Sequence, residues 1–250
     1  MVDAAAHPPL DQSLFGGELV HQLLGRGGGC THMSTRTEPF TCVSIEIENK
    51  PTLYKSLDGF IHGEMLSVCA CVCGWLCECW RCTTLTPRVG VAYQGDNAYK
   101  CEQCDKKVDT LKRCCFHKLP PTLVVHLKRF GLNFETFTKH KINSSCEFPM
   151  ELDLWPYTDA YLDAKQDGGG ASTSSHSLRR EECLYELSGV LIHAGTADFG
   201  HYFSIIRDRN GSGKWFVFND ESVSEFDAAE MEDWCFGACR AVLCTNTTST

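Results

Sequence analysis

The sequence has no excess of positive charge, no long apolar run and no leader-like start, and each absence removes a class of function. Lysine and arginine number 23 against 32 aspartates and glutamates, a net charge of −9. A protein that grips a nucleic-acid backbone needs the opposite balance, so nucleic acid is not expected as a partner. The longest charge-free apolar stretch runs from Ser67 to Cys77, well short of the roughly 18 residues that a membrane-spanning helix requires. The opening residues, MVDAAAHPPLDQ, offer neither a basic segment nor an apolar one, so no secretory signal is read there. The expected compartment is the cytoplasm or nucleus, not the outside of the cell or a membrane.

Cysteine is what the chain has in plenty: 17 in 250 residues. In a reducing compartment that content points to metal binding or catalysis rather than disulfides. Its distribution is uneven, with a dense patch, CACVCGWLCECWRC, from Cys69 to Cys82. As chemistry, such a patch suits soft metals held by several thiolates. As coding sequence, alternating Cys and Val is what a repeated TGT-GTG tract encodes, and 67–94 can be removed without a change of frame. The second reading predicts that 67–94 is an insert originating in a retained intron.

Hydrophobic content of 43% and charged content of 22% are globular values, and the length suits one domain with insertions. Residues 1–12 read as a loose lead-in. From Leu14 to Leu24 the apolar residues approach a helical period, weakened by Gly16 and Gly17. Phe40 to Ile47 alternates, with Val43, Ile45 and Ile47 on one face, as a half-buried strand does. Thr122 to Phe130 is apolar nearly throughout and predicts a central strand; Tyr185 to His193 is another apolar run. The segment 163–182 has little to bury and is expected to be a surface loop, and 238–250, ending in TNTTST, a disordered tail.

Two patterns carry chemistry. His201–Arg207 and Lys214–Phe218 are strand-like, and DRNGSG between them is a turn signal. An antiparallel hairpin centred near Asn210 or Gly211, whose paired numbers sum to 420 or 421, sets His201 opposite Asn219 or Asp220. Opposed side chains lie roughly 4.5–5.5 Å apart at Cβ, within reach for an imidazole and an orienting amide or carboxylate. Such a pair is two thirds of a nucleophilic constellation that lacks only a thiol or hydroxyl. On spacing alone it is equally a strand end beside a polar turn. The second pattern is Cys101-x-x-Cys104 in KCEQCDKK, half of a tetrahedral metal site. Cys30 and His32, in GGGCTH, are the upstream candidates for the other half, with Gly27 where a second C-x-x-C would need a cysteine. Two free thiols in a turn would leave the same trace.

The blocks KCEQCDKKVDTLKR, LPPTLVVHLKRF, GVLIHAGTADFGHYFSIIRD and GKWFVFNDESVSEF resemble, in order and spacing, those of the ubiquitin-specific proteases, in particular the fat-facets-like branch. The resemblance covers roughly 13–66 and 95–237. It implies an α+β, papain-like cysteine protease fold, with a helical thumb, a β-sheet palm and zinc-ribbon fingers, and an activity: hydrolysis of isopeptide bonds after the C-terminal glycine of ubiquitin. His201 is then similar to the general base, Asn219 to its orienting partner and Asp220 to a polar auxiliary, with His193 a packing or loop-supporting residue. Cys101 and Cys104 resemble the second zinc pair of the fingers and Cys30 the surviving member of the first, an incomplete site that predicts weak or redox-sensitive zinc binding. Ubiquitin and ubiquitinated proteins are the implied partners.

The chain also departs from the family pattern. No block resembling G-L-x-N-x-G-N-T-C-Y, which carries the family's nucleophile, is found in it. The aromatic-rich closing strand expected after Phe236 is replaced by GACRAVLCTNTTST. The expectation is therefore fingers and palm without the nucleophile-bearing thumb, inactive alone, with apolar palm surface left exposed. The alternative is a non-catalytic, ubiquitin-binding zinc-finger module.

Overall fold

The computed structural model describes residues 10–26, 29–66, 99–166, 178–209, 212–237 and 239–246. In chain order the elements are α1 (Leu10–Phe15), β1 (Gly17–Gly25), β2 (Met33–Phe40), β3 (Val43–Glu46), α2 (Leu53–Ile61) and β4 (Glu64–Leu66). Then come β5 (Lys100–Cys101), β6 (Lys106–Lys107), β7 (Thr110–Lys118), β8 (Thr122–Lys128), β9 (Phe130–Asn133), β10 (Thr138–Lys141), β11 (Glu151–Asp153) and α3 (Asp159–Gln166). The last are β12 (Leu184–Gly195), β13 (Gly200–Arg207), β14 (Trp215–Asn219), β15 (Ser222–Phe226), α4 (Met231–Cys235) and β16 (Cys239–Asn246). The chain forms two compact units, the larger from residues 1–20, 37–61 and 115–250, the smaller from 21–36 and 62–114.

The larger unit is built on a sheet of order β15-β14-β13-β12-β16-β8-β3, with β11 paired to β12. Its core follows from the strand alternation read in the sequence. Val43 and Ile45 point inward with Ile47 just beyond, while Ser44 and Glu46 face out, and β3 pairs parallel with β8, setting Val43 beside Val125 and Ile45 beside Leu127, both equally buried. Against β3 packs α2, whose Leu53, Leu57 and Ile61 recur at every fourth residue and are buried on one face. Thr52 starts this helix, its hydroxyl accepting from the Lys55 amide. β8 ends at Lys128, two residues before the expected boundary, because Phe130 opens the β9–β10 hairpin.

Three expectations are corrected. The helical period over 14–24 is replaced by a short helix and a strand. The Gly16 amide closes the last turn on the Gln12 carbonyl, and from there Val20, Gln22 and Leu24 are buried at every second residue. A spacing of four residues satisfies both periods, so the pattern was ambiguous. The expected tail over 238–250 contains β16, which pairs with β12 (Val190↔Val242) on one side and β8 (Val242↔Val125) on the other. A strand in that slot satisfies the backbone groups of both neighbours, and the tertiary ladder overrides the polar look of its end. The expected loop 163–182 gives up its first four residues to α3 and its last three to a 3-10 turn at Arg180–Cys183. Residues 167–177 of that loop, all but the end of the lead-in 1–12, and the insert 67–94 lie outside the described residues.

The smaller unit contains most of the sheet β2-β1-β7-β4 and the two-stranded β5–β6 ribbon. Its buried cluster is Cys30, Cys101 and Val108, with Tyr99 and Cys104 packed against it.

Candidate functional site

β13 and β14 form the hairpin expected from the sequence, closed by the Asp208 amide bonding to the Lys214 carbonyl and the Ser212 hydroxyl to the Asp208 carboxylate. The register differs from the expectation. Ser204 pairs with Phe218 and Arg207 with Trp215, so Asn219 falls opposite Phe203 and lies diagonal to His201 rather than across from it. Residues with this offset share a face of the sheet and stay within reach of longer side chains. Ile205 and Trp215, on that same face, are buried and anchor the hairpin to the core. His201, at the exposed end, meets Asn219: Nε2 and Oδ1 are 2.6 Å apart. Asp220 brings a carboxylate oxygen to 3.8 Å from the same nitrogen, from a left-handed backbone position at φ +51°. The structure thus gathers all three residues singled out in this hairpin. Among the described residues, Asn219 and Asp220 are the side chains that His201 pairs with.

The approach to His201 is ordered by packing. His193 is 5% exposed and lies between Phe130, ring centroids 5.1 Å away, and Tyr202 at 4.7 Å. Gly200 has no room for a side chain, because a Cβ there would overlap the His193 ring. A cavity of about 550 Å³ opens beside this segment, with Phe130, Leu132, Lys139, Asp198 and Tyr202 among its walls and Phe199, 83% exposed, at its margin. Farther along the sheet Leu191, Ile206, Phe218 and Val223 leave apolar surface exposed.

In the smaller unit the predicted cysteines come together and a histidine joins them. β5 and β6 pair as Lys100↔Lys107 and Cys101↔Lys106, around a tight turn that puts Asp105 at φ +51° and contains Cys104. A second turn, closed by the Gly25 amide on the His32 carbonyl, presents Cys30 and His32. The His32 Nδ1 lies 3.2 Å from the Cys104 sulfur, 3.5 Å from that of Cys101 and 3.7 Å from that of Cys30. One ligand atom from each of the four falls within 4.8 Å of the others, a group able to hold a metal ion. The Cys104 backbone amide, with further help from His32, draws the Cys101 thiol down to about 6, while its hydrogen bond with Cys30 pushes Cys104 up to about 11. The lowering at Cys101 favours its thiolate, the form a metal requires. Gly27, the position that lacks the expected cysteine, lies outside the described residues.

The other described thiols are of a different kind. Burial pushes Cys183 and Cys235 up to about 12 and raises Cys42 and Cys146.

Comparison with known proteins gives this geometry a family. The model of the family described as ubiquitin carboxyl-terminal hydrolase matches residues 83–243. Ubiquitin carboxyl-terminal hydrolase 34 of Homo sapiens is 35% identical over 233 residues, which is 90% of this chain and 6% of the relative. Ubiquitin carboxyl-terminal hydrolase 9X of Mus musculus is 35% identical over 250 residues, covering 94% of this chain and 9% of the relative. The probable ubiquitin carboxyl-terminal hydrolase FAF of Drosophila melanogaster is 34% identical, covering 94% and 8%. The chain therefore spans less than a tenth of the curated relatives it matches. Among solved structures, the SAGA Ubp8/Sgf11/Sus1/Sgf73 DUB module bound to ubiquitin aldehyde aligns with a TM-score of 0.67 at 25% identity, over 97% of this chain and 43% of that one. The same module with Ubp8(C146A), bound to monoubiquitin, aligns with a TM-score of 0.66 at 26% identity, over 98% and 43%. Sequence blocks, sheet, hairpin and family model agree: the chain has the papain-like cysteine protease fold and belongs to the ubiquitin carboxyl-terminal hydrolase family.

Proposed function

We propose that this chain supplies the base, the orienting amide and the metal knuckle of a cysteine-type deubiquitinase, which hydrolyses the isopeptide bond after the C-terminal glycine of ubiquitin. The observation that carries the reading is the 2.6 Å contact between His201 Nε2 and Asn219 Oδ1. An amide oxygen only accepts, so Nε2 holds the proton and Nδ1 keeps its lone pair. An imidazole fixed in that tautomer takes the proton of a thiol at Nδ1 as the sulfur attacks the carbonyl carbon. It then gives that proton to the departing amine, and water drawn onto the same nitrogen cleaves the thioester left behind. Asp220, with its carboxylate near the ring, favours the imidazolium formed between those steps.

Among the described cysteines, Cys42, Cys146, Cys183 and Cys235 are held protonated by burial, Cys115 is buried with its thiol on the Val20 carbonyl, and Cys30, Cys101 and Cys104 surround His32, so the attacking sulfur is assigned to none of these. Zinc is the ion assigned to that last group. Zn–S bonds near 2.3 Å and Zn–N bonds near 2.0–2.1 Å give a tetrahedral nitrogen–sulfur edge of roughly 3.5 Å, and the three separations here run from 3.2 to 3.7 Å. Such an ion ties two turns of a small unit together and takes no part in the hydrolysis. The partners are ubiquitin and ubiquitinated proteins, met in the cytoplasm or nucleus.

Titrating ubiquitin into the isotope-labelled chain tests the reading. Backbone signals of Phe199, Gly200 and His201 should shift on addition. A spectrum that stays unchanged at saturating ubiquitin would defeat it. A ubiquitin carrying a C-terminal electrophile should leave Cys42, Cys146, Cys183 and Cys235 unlabelled, and labelling at any of them would relocate the nucleophile.

A further inference from the structure

The strand that sets the backbone of His201 is held at its end by a group outside the dyad. β12 pairs with β16 from Tyr185↔Asn246 to Ile192↔Cys239, but with β13 as far as Gly195↔Gly200. Its last three residues thus run past the described pairing with β16. Lys141, the last residue of β10, reaches them. Its ammonium donates to the carbonyl oxygen of His193 at 2.7 Å and to that of Gly195 at 3.2 Å. These two residues flank Ala194, and Ala194 is the residue in register with His201.

The surroundings make this contact a clamp. Hydrogen bonds from a charged donor are roughly twice as strong as neutral ones. Burial, together with the nearby Arg129, holds the Lys141 pKa below the usual lysine value, as expected of an ammonium that has exchanged water for carbonyls. The base of the clamp is itself fixed. Arg129, 1% exposed, donates to the carbonyls of Ile142 at 2.9 Å, Ser144 at 2.8 Å and Phe236 at 2.6 Å, and the Ile142 amide returns a bond to the Arg129 carbonyl at 2.7 Å. The residues that follow Lys141 are therefore tied down. On the far side, Gly195 at φ +124° turns the chain into a loop closed by the Thr196 amide on the Phe199 carbonyl at 2.8 Å. A Cβ at Gly195 would collide with that carbonyl and with Gly200, so the loop has one way to run into His201.

We infer that Lys141 is a positioning residue for the base: by fixing the carbonyls on either side of Ala194 it sets, through the β12–β13 register, where the His201 ring stands against Asn219. The inference rests on the reading of His201 as base and adds to it the element that aims the ring.

The test uses the full 250-residue chain, nitrogen-labelled and observed at the His201 ring nitrogens and at the Gly200 and His201 amides. The unchanged chain should show a single tautomer with its proton on Nε2. In Lys141→Met, which has similar length but no donor, two tautomers should interchange. Exchange at the two amides should also quicken about tenfold or more, the factor that loss of a hydrogen bond from a charged donor produces. Lys141→Arg, which keeps charge and donors, should restore both signals. Should the methionine variant fail to fold, Lys141→Gln keeps a neutral donor and should give intermediate exchange. A folded Lys141→Met, or Lys141→Gln in its place, with the single tautomer and unchanged exchange overturns the inference and leaves the reading of His201 standing. A ring without a fixed tautomer in the unchanged chain overturns that reading first.

Discussion

The larger unit sets its His201–Asn219 pair on a hairpin whose inward side chains, Ile205 and Trp215, enter a described cluster of 25 buried hydrophobic residues, whereas the smaller unit builds its Cys/His group over a described cluster of three. Two of those three, Cys30 and Cys101, are themselves members of the group. Both sites join residues that are apart in sequence, but the forces differ. The dyad is placed by strand register and apolar burial, which need no ligand. The described residues of the knuckle bury little apolar surface beyond the Cys/His group itself, and the proposed ion is what would join its two turns. On that reading one site is a product of the fold and the other a cause of it.

Removal of metal should separate the two most sharply. Structural zinc in small finger peptides contributes about 10–16 kcal/mol of apparent binding free energy, more than the core of the smaller unit can replace. A chelator should erase amide dispersion for Cys30, Val108 and their neighbours while the signals of Ile205 and Trp215 stay in place. Equal loss in both regions would end the comparison. With metal withdrawn and the knuckle open, an alkylating reagent at neutral pH should modify Cys30, Cys101 and Cys104 before Cys183 and Cys235, which stay buried with their thiols pushed up to about 12. Peptide mapping over time reads the order. His32→Ala should weaken metal binding by more than the ~10–100-fold that loss of an outer-sphere partner costs, and His32→Cys should restore it. An affinity indifferent to His32 would return the site to three ligands.

The reciprocal break is Ile205→Ala. Ile205 is fully buried beneath the hairpin, and truncation of such a side chain costs about 2–5 kcal/mol. Denaturant unfolding of the variant should show that loss, with metal affinity unaltered. A loss below about 1 kcal/mol would mean that the hairpin is not held by the core.

The difference between the sites also decided what could be read from the sequence. Two strand-like runs about a turn signal made the β13–β14 hairpin legible, and with it the company of His201 and Asn219. The strand runs and the turn signal fix which segments pair but not their register, and the pairing of Ser204 with Phe218 departs by one or two residues from the expected one. Cys101-x-x-Cys104 declared itself by spacing. His32 was a named candidate, but its place among three sulfurs depends on a turn that no local pattern fixes. β16 reads as tail in the sequence because its claim to strand lies in its place between β12 and β8, a long-range property. Lys141 gave no signal whatever: its partners are backbone carbonyls, which a sequence does not distinguish.

The smallest effect concerns the surface of the larger unit, where neither core nor metal contributes. Glu182 receives the Arg179 backbone amide at 3.0 Å and its guanidinium at 2.9 Å, closing the turn that leads into β12. The backbone bond first, and the guanidinium after it, hold the Glu182 carboxyl below its ordinary value of 4.5. A carboxyl whose folded pKa is depressed adds stability above its unfolded pKa, and that contribution disappears as pH falls through the lower, folded value. Glu182→Gln should therefore be less stable than the unchanged chain at neutral pH and indistinguishable from it once both are well below pH ~4. The guanidinium is largely in water and the carboxylate partly so, which screens the pair, so the difference should be the slightest of the set and shrink further in high salt. A gap that persists in strong acid would assign the loss to packing of the side chain and not to its charge.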